Sequence, residues 1–358
     1  MATAAAPEKS PDAIGTMLHN NDDWLARRPV EAILEPDLPV VDPHHHLWDR
    51  KHHRYLLPEL LADTGSGHHV LATVFVDCMA FYRTDGPPAL RPVGETEFAN
   101  GVAAMAASGV YGTTRGSTQA CAGIVGFADL TLGAAVAEVL AAHIVAGGGP
   151  GGRFKGIRHA GGWDASPMIH NSHTRPIPGL YADKAFREGF AQLAPLGLSF
   201  EAWQYHPQLP EVIALAKAFP DTAIILNHVG GPLGVGPYAG RTEATFAGWQ
   251  QHIAELARCP NVTVKLGGLG MRIGMFEHFK QPDPPSSQQI ADAWRPWVTT
   301  CIEAFGPQRG MFESNFPVDK TSAGYAVLWN AFKRLAAGAS AGDMAALFAG
   351  TARRVYRL

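Results

Sequence analysis

Two histidines one residue apart, His44 and His46, follow the short apolar run Val40-Val41. Side chains two apart on a strand share a face. Both imidazoles would therefore point to one side, where they can share a divalent cation or, without metal, orient a carbonyl and a water. His45 would point the other way. Further polar groups stand directly after other apolar runs: Asp77, Asp129, Arg158 and His159, then Glu201 with Trp203 and His206. Asn227 and His228, Lys265, and Glu313-Ser314-Asn315 complete the series. Imidazoles, a guanidinium and carboxylates in that recurring place are what a reactive site needs and a packed core does not. A solvated rim is the competing account, but a rim rarely gathers so many histidines.

Something must bring these groups together. The apolar runs number eight: Val40-Val41, Val70 to Val76, Ala122 to Phe127, Phe154 to Ile157, Leu196 to Trp203, Ala223 to Leu226, Val262 to Leu266, and Met311-Phe312. Such short, uniformly apolar runs suit strands of a parallel sheet covered on both faces. Between them lie helical stripes, such as Phe98-Val102-Met105, Val136-Val139-Leu140-Ile144 after a Thr131 cap, and Phe186-Phe190-Leu193 after an Asp183 cap. Phe246-Trp249-Ile253-Leu256 follows the same spacing, and Ser286 with Gln289 forms a capping box before Ile290, Trp294 and Trp297. The alternation fits a closed barrel or an open doubly wound sheet. The open nucleotide-binding form places G-x-G-x-x-G after its first strand, whereas here the first strand runs into Asp42-Pro43-His44-His45-His46. The reading is an α/β fold, a (β/α)8 TIM barrel over residues 40–358, preceded by an N-terminal arm over residues 1–39. In that fold, reactive groups stand at the carboxyl ends of the strands. Trp48, Tyr82, Trp163 and Trp203 lie beside those ends and could wall a pocket. The run Arg50-Lys51-His52-His53-Arg54 reads as a solvated basic loop.

The 358 residues are 46% hydrophobic and 17% charged, with a formal net charge of -3. A large core is available, and neither a nucleic-acid footprint nor a polybasic membrane patch is present. No run is long enough to span a membrane, and the first residues lack a signal-peptide pattern. The four cysteines, Cys78, Cys121, Cys259 and Cys301, are widely spaced and read as core thiols of a cytoplasmic protein. The arm is expected to lie over the body or to join a partner subunit in a homo-oligomer.

The ordered set Asp-x-His-x-His-x-Trp from Asp42, Gly156-Ile157-Arg158-His159, Leu226-Asn227-His228-Val229-Gly230-Gly231-Pro232, Val264-Lys265-Leu266-Gly267-Gly268 and Ser314-Asn315-Phe316-Pro317 resembles the amidohydrolase-related (amidohydrolase 2) family, and within it the lactonase-type branch. The resemblance runs from about Val40 to the carboxyl terminus. It implies a hydrolase that opens a lactone, or a related ester-like or amide-like bond, of a small anionic substrate. It implies that His44 and His46 polarise the carbonyl or bind metal, that Arg158 grips a substrate carboxylate, and that His228 stabilises the oxyanion or assists proton transfer. His159, Trp48, Trp203 and Lys265 are grouped with Arg158 as substrate-binding residues.

The chain departs from the family at the eighth strand, where members commonly carry an aspartate at the position of Asn315. An amide cannot serve as general base. Glu313, two residues earlier, is expected to take over as base or metal ligand, with Asn315 orienting water; the rival reading makes Glu313 the ion-pair partner of Lys265. The fifth strand also lacks the family's metal-binding histidine. A binuclear centre is therefore not expected. The remaining ligands, His44, His46 and Glu313, would hold one divalent ion, zinc first, or the site would work without metal. Two other functions fit the same residues: a metal-dependent decarboxylase or hydratase of the same superfamily, and a non-catalytic barrel subunit.

Overall fold

A computed structural model describes residues 21–51, 53–111 and 118–358. Eight strands form one parallel sheet in strict chain order: β1 (Pro39–His45), β2 (His69–Val76), β3 (Gln119–Gly126), β4 (Phe154–Ile157), β5 (Ser199–Ala202), β6 (Ile224–Leu226), β7 (Val262–Leu266) and β8 (Gly310–Phe312). The ring closes just beyond β8. There the Asn315 amide donates to the His44 carbonyl at 3.0 Å and the His46 amide to the Phe316 carbonyl at 2.7 Å, with a parallel bridge between His45 and Phe316. Helices Val93–Ala107, Lys184–Phe190, Leu209–Ala218, Thr242–Leu256, Ser287–Phe305 and Tyr325–Leu335 are among those that return the chain to the next strand. This is the expected TIM barrel.

Every strand foreseen is present: Phe154–Ile157 and Val262–Leu266 keep their foreseen ends and the others shift. β1 is longer than Val40-Val41 and carries His44 and His45 within it, while Leu196 belongs to a turn before β5 that ends in the left-handed Gly197. Asp183 accepts from the Phe186 amide, and Ser286 with Gln289 forms the capping box. The cap expected of Thr131 belongs instead to Asp129, whose carboxylate takes the Thr131 amide. Met105 is exposed rather than on the buried face. From the basic run after β1, Arg50, His53 and Arg54 belong to a two-stranded pairing of Trp48–Arg50 with His53–Tyr55, in which Trp48, His53 and Tyr55 are buried.

Inside the ring, Val41, Val74, Val125, Ile225 and Met311 pack against Ala349, Ala352 and Tyr356 of the carboxyl-terminal segment, which plugs the barrel from below. Continued strict alternation from Val41 would place His45 inward. A register shift between Asp42 and His45 inverts this, and His45 instead turns outward, with its Nε2 2.9 Å from Thr73 Oγ1. A bulge that re-aims side chains beside a site is a recurrent use of that irregularity. Residues 21–38 of the arm lie along the barrel's flank: Asn21 donates to the Thr321 carbonyl, Arg28 to that of Pro284, and the Leu34 amide to Asn330. The four cysteines are free and buried. No helix among the described residues is long and apolar enough to cross a membrane.

Candidate active site

The strand ends bring together most of the residues singled out above. The His44 and His228 rings lie 4.6 Å apart and those of His44 and His46 4.9 Å apart, centroid to centroid. Each imidazole has a defined partner. The Nδ1 of His46 lies 2.8 Å from the Val76 carbonyl, an acceptor only, so that nitrogen carries the proton and Nε2 keeps its lone pair. The Nε2 atoms of His44 and His46 are 3.2 Å apart. His228 donates from Nδ1 to Glu313 Oε1 at 2.7 Å, and its backbone amide approaches the same oxygen at 3.2 Å. The other carboxylate oxygen, Oε2, lies 2.8 Å from His44 Nδ1 but out of line for a hydrogen bond, and it is a buried acceptor with no aligned donor.

Two glycines make this contact between β6 and β8 feasible. A Cβ on Gly268 would sit 2.3 Å from His228 Nδ1, and one on Gly267 would sit 2.6 Å from Glu313 Cγ. His228 and Asn315 themselves have positive φ, 52° and 53°. Strained backbone of this kind persists where the surrounding structure over-determines it, and it clusters at functional sites.

Burial dominates the electrostatics. It holds His44, His46 and His228 well below the ordinary imidazole value, so the rings are neutral at pH 7. It pushes Glu313 up to about 8, with Lys265 pulling the other way. Beneath the imidazoles lies a second buried group. Lys265 is paired with Glu201 at 2.8 Å and reaches His44 Nδ1 at 3.2 Å, while Asn227 and Tyr356 donate to the Glu201 oxygens. Lys265 thus pairs with Glu201 and not with Glu313. It is fully buried below the cleft, so it positions His44 and does not meet substrate.

A cleft of about 640 Å³ opens above the site. His46, Trp48, Arg158, Trp203, His228 and Asn315 line it, as expected. Trp48 stacks on His46 at 5.7 Å, and Trp203 meets His228 edge-on at 4.8 Å. Asn315 donates its amide to Asp319, which leaves its carbonyl oxygen as the unbonded end. Two more expected substrate contacts differ, besides Lys265. His159 is turned away between Phe127 and Phe186, its Nδ1 accepting the Leu130 amide, because it follows Arg158 by one residue and so faces the helix layer. Arg158 lines the cleft, but its Nε and Nη2 donate to the side chain and carbonyl of Asp77. A two-pronged grip on a substrate carboxylate is therefore closed to it. His173 and Arg272, also in the wall, come from loops without periodicity, and only their residue types could have marked them.

The ligand set also shifts. The buried donor atoms that gather within 4.8 Å of one another belong to His44, His228 and Glu313, so His228 stands where His46 was expected, because the deeper Glu313 reaches across to β6.

The amidohydrolase family model matches residues 41–358. The chain belongs to the amidohydrolase family. It is accordingly an enzyme of the hydrolase class. It is 31% identical to the uncharacterized protein y4mH of Sinorhizobium fredii over 347 residues, covering 90% of this chain and 99% of that one. It is 27% identical to an L-fucono-1,5-lactonase of Burkholderia multivorans, covering 89% and 96%. Among solved structures, an amidohydrolase from Burkholderia multivorans with bound zinc superposes with a TM-score of 0.67 at 23% identity, covering 89% of this chain and 99% of that one. Lactonases thus stand among the relatives of this amidohydrolase.

Proposed function

We propose that this amidohydrolase opens the ring of a lactone that carries a carboxylate, by attack of a water deprotonated at His228. The observation that carries the reading is the His228–Glu313 contact. Glu313 Oε1, which accepts from both the amide and Nδ1 of His228, fixes the tautomer whose Nε2 faces the cleft with its lone pair, and in its ionised form Glu313 stabilises the imidazolium that forms when the proton arrives. A base oriented by a third group is the recurring arrangement for activating a weak nucleophile. Glu313 is fully buried behind the ring, so it acts through His228 rather than on water directly. The free carbonyl of Asn315 can accept a hydrogen bond from that water and orient it.

The cleft supports an anionic substrate. Arg50, Arg158 and Arg272 line it, and no carboxylate does so among the described residues. Arg272 stacks on Phe279 at 4.5 Å and has no counter-ion among the described residues. Its fork is open for the two-pronged contact that Asp77 denies to Arg158. Trp48 and Trp203 would flank a flat ring.

The donor set fits a divalent ion, zinc first: Glu313 Oε2 is a buried acceptor without an aligned donor, 2.8 Å from Nδ1 of the neutral His44 ring. His44 and Glu313, both in the set whose donor atoms gather, would hold it, and when bound it would supply a Lewis acid for the lactone carbonyl. Hydrolysis and decarboxylation are separated by titrating a panel of carboxylated and neutral lactones at constant pH beside a carbon dioxide trap. Base uptake without carbon dioxide is the expected result. Carbon dioxide release from a carboxylated ring, or inertness towards every lactone, would overturn the reading.

A further inference from the structure

Opening a lactone needs two proton movements: one off the attacking water and one onto the departing ring oxygen. The residues above account for the first. On the opposite wall of the cleft stands a histidine that the reaction has not yet used. His173 lies in the long loop after β4, lines the cleft and is 29% exposed at its side chain. Its Nε2 is 2.9 Å from Asp77 Oδ2. Asp77 is fully buried at the end of β2. Burial alone would raise its pKa, but Arg158 and His173 hold the carboxyl well below its usual range. It is therefore ionised, and an ionised carboxylate only accepts. The Nε2 of His173 must carry the proton of that bond, which leaves Nδ1 as the ring's other polar atom, with no partner among the described residues.

The loop is built to hold the ring there. On one side of His173 the Ser172 amide donates to the Gly162 carbonyl at 2.8 Å, and on the other the Thr174 hydroxyl donates to the Ala160 carbonyl. Both bonds tie the loop back to the exit of β4, so its path is fixed immediately before and after the histidine. A substituent at either glycine of this exit would collide: a Cβ on Gly162 would lie 2.5 Å from Ser172 Oγ, and one on Gly161 2.7 Å from the Tyr181 ring. A histidine held by a carboxylate, open on its other nitrogen and set in the wall of the reaction cleft is the arrangement of a general acid.

We propose that His173 is the catalytic residue that protonates the departing ring oxygen, with Asp77 as the positioning residue that fixes its tautomer. The proposal rests on the lactonase reading. In the step it describes, the bond between the carbonyl carbon and the ring oxygen breaks, and its electron pair stays on that oxygen. His173 acts here as the imidazolium: a proton taken up from solvent on Nδ1, beside the one Nε2 donates to Asp77, moves to the oxygen to give the hydroxyl of the opened product and leaves the ring neutral. His173, partly exposed, takes its replacement proton from solvent.

A leaving group that departs readily without a proton has little need of an acid, so the test compares two ring oxygens. Glucono-δ-lactone releases an alkoxide and dihydrocoumarin a phenoxide. His173→Gln is expected to lower kcat on glucono-δ-lactone by about 100-fold, the lower end of what general acid catalysis contributes. The loss on dihydrocoumarin should be much smaller, so that the ratio of the two rates changes at least tenfold. A thermal melt confirms that the variant is folded, and His173→Asn replaces it if it is not. An equal loss on both substrates, or no loss on either, would overturn the proposal. Carboxylated lactones with an alkoxide and a phenoxide leaving group are compared in the same way, and a wild-type enzyme inert towards all of these lactones would overturn the lactonase reading, and this proposal with it.

Discussion

Glu313, just past β8, accepts the Nδ1 proton of His228, just past β6, at 2.7 Å, across the gap kept open by Gly267 and Gly268 at the end of β7. Three consecutive strands of the barrel thus cooperate in one contact. If the pair works as a unit, removing either member should cost nearly as much as removing both. Glu313→Gln and His228→Gln are each expected to lower kcat by about 10³-fold with the fold intact, on the scale of losses seen when such units are broken. The double variant should fall no more than about tenfold below the weaker single one. Steady-state kinetics with circular dichroism checks this, and fully multiplicative losses would show two independent roles.

The metal prediction is quantitative in stoichiometry. One divalent ion per chain is expected in the purified protein, and elemental analysis reads it directly. Dialysis against a chelator should lower kcat, and added zinc should restore it. His44→Asn should lower the metal content below half an ion per chain. Full activity in protein shown to be free of metal would contradict this.

Arg272 gives a prediction about specificity. A hydrogen bond to a charged group contributes about 1.5–3 kcal/mol, so Arg272→Met should raise KM for a carboxylated lactone roughly 10- to 100-fold. The change for a neutral lactone should be much smaller. Equal effects on the two substrates would assign Arg272 to the fold of its loop.

Acid sensitivity should follow from His143, which lies outside the site. Its Nε2 donates to the Phe127 carbonyl at 3.0 Å and its Nδ1 lies 2.8 Å from Thr96 Oγ1, so the neutral ring is fully bonded. Burial lowers its pKa from 6.5 to about 4. Between those values the unfolded chain binds a proton that the folded chain refuses, so stability falls as pH drops from 6.5 to 4, by up to roughly 1.4 kcal/mol per pH unit. Above 6.5 the group contributes no slope. Denaturant titrations at pH 7, 5.5 and 4.5 measure it, and His143→Gln should be flatter across that window. An identical slope in the variant would locate the acid sensitivity elsewhere.

How much of this was legible beforehand depends on distance along the chain. His44 and His46 could be paired because two residues on a strand share a face, and the β/α alternation told which end of each strand to inspect. That parity could not reveal which face. The bulge at Asp42 decides it, and bulges leave little trace in one sequence. Lys265 and Glu201 are both visible as strand-end polar residues, but their pairing needs the ring to close. Arg158 keeps its expected place and loses its expected freedom, because Asp77, from two strands away, reaches it first. His173 lies in a loop with no period at all. Its meaning appears only when Gly162 and Ala160 draw that loop over the cleft.

The ring joins its two ends through backbone bonds from His44 and His46 to the stretch holding Asn315. Those few hydrogen bonds lock the first strand to the last, and they do so with the same residues that carry the reactive groups. Assembly of the catalytic apparatus and completion of the architecture are hence a single event. In mild denaturant, turnover should vanish when this suture parts, while the helical shell is still intact, which would make activity the earliest sign that the molecule is coming undone.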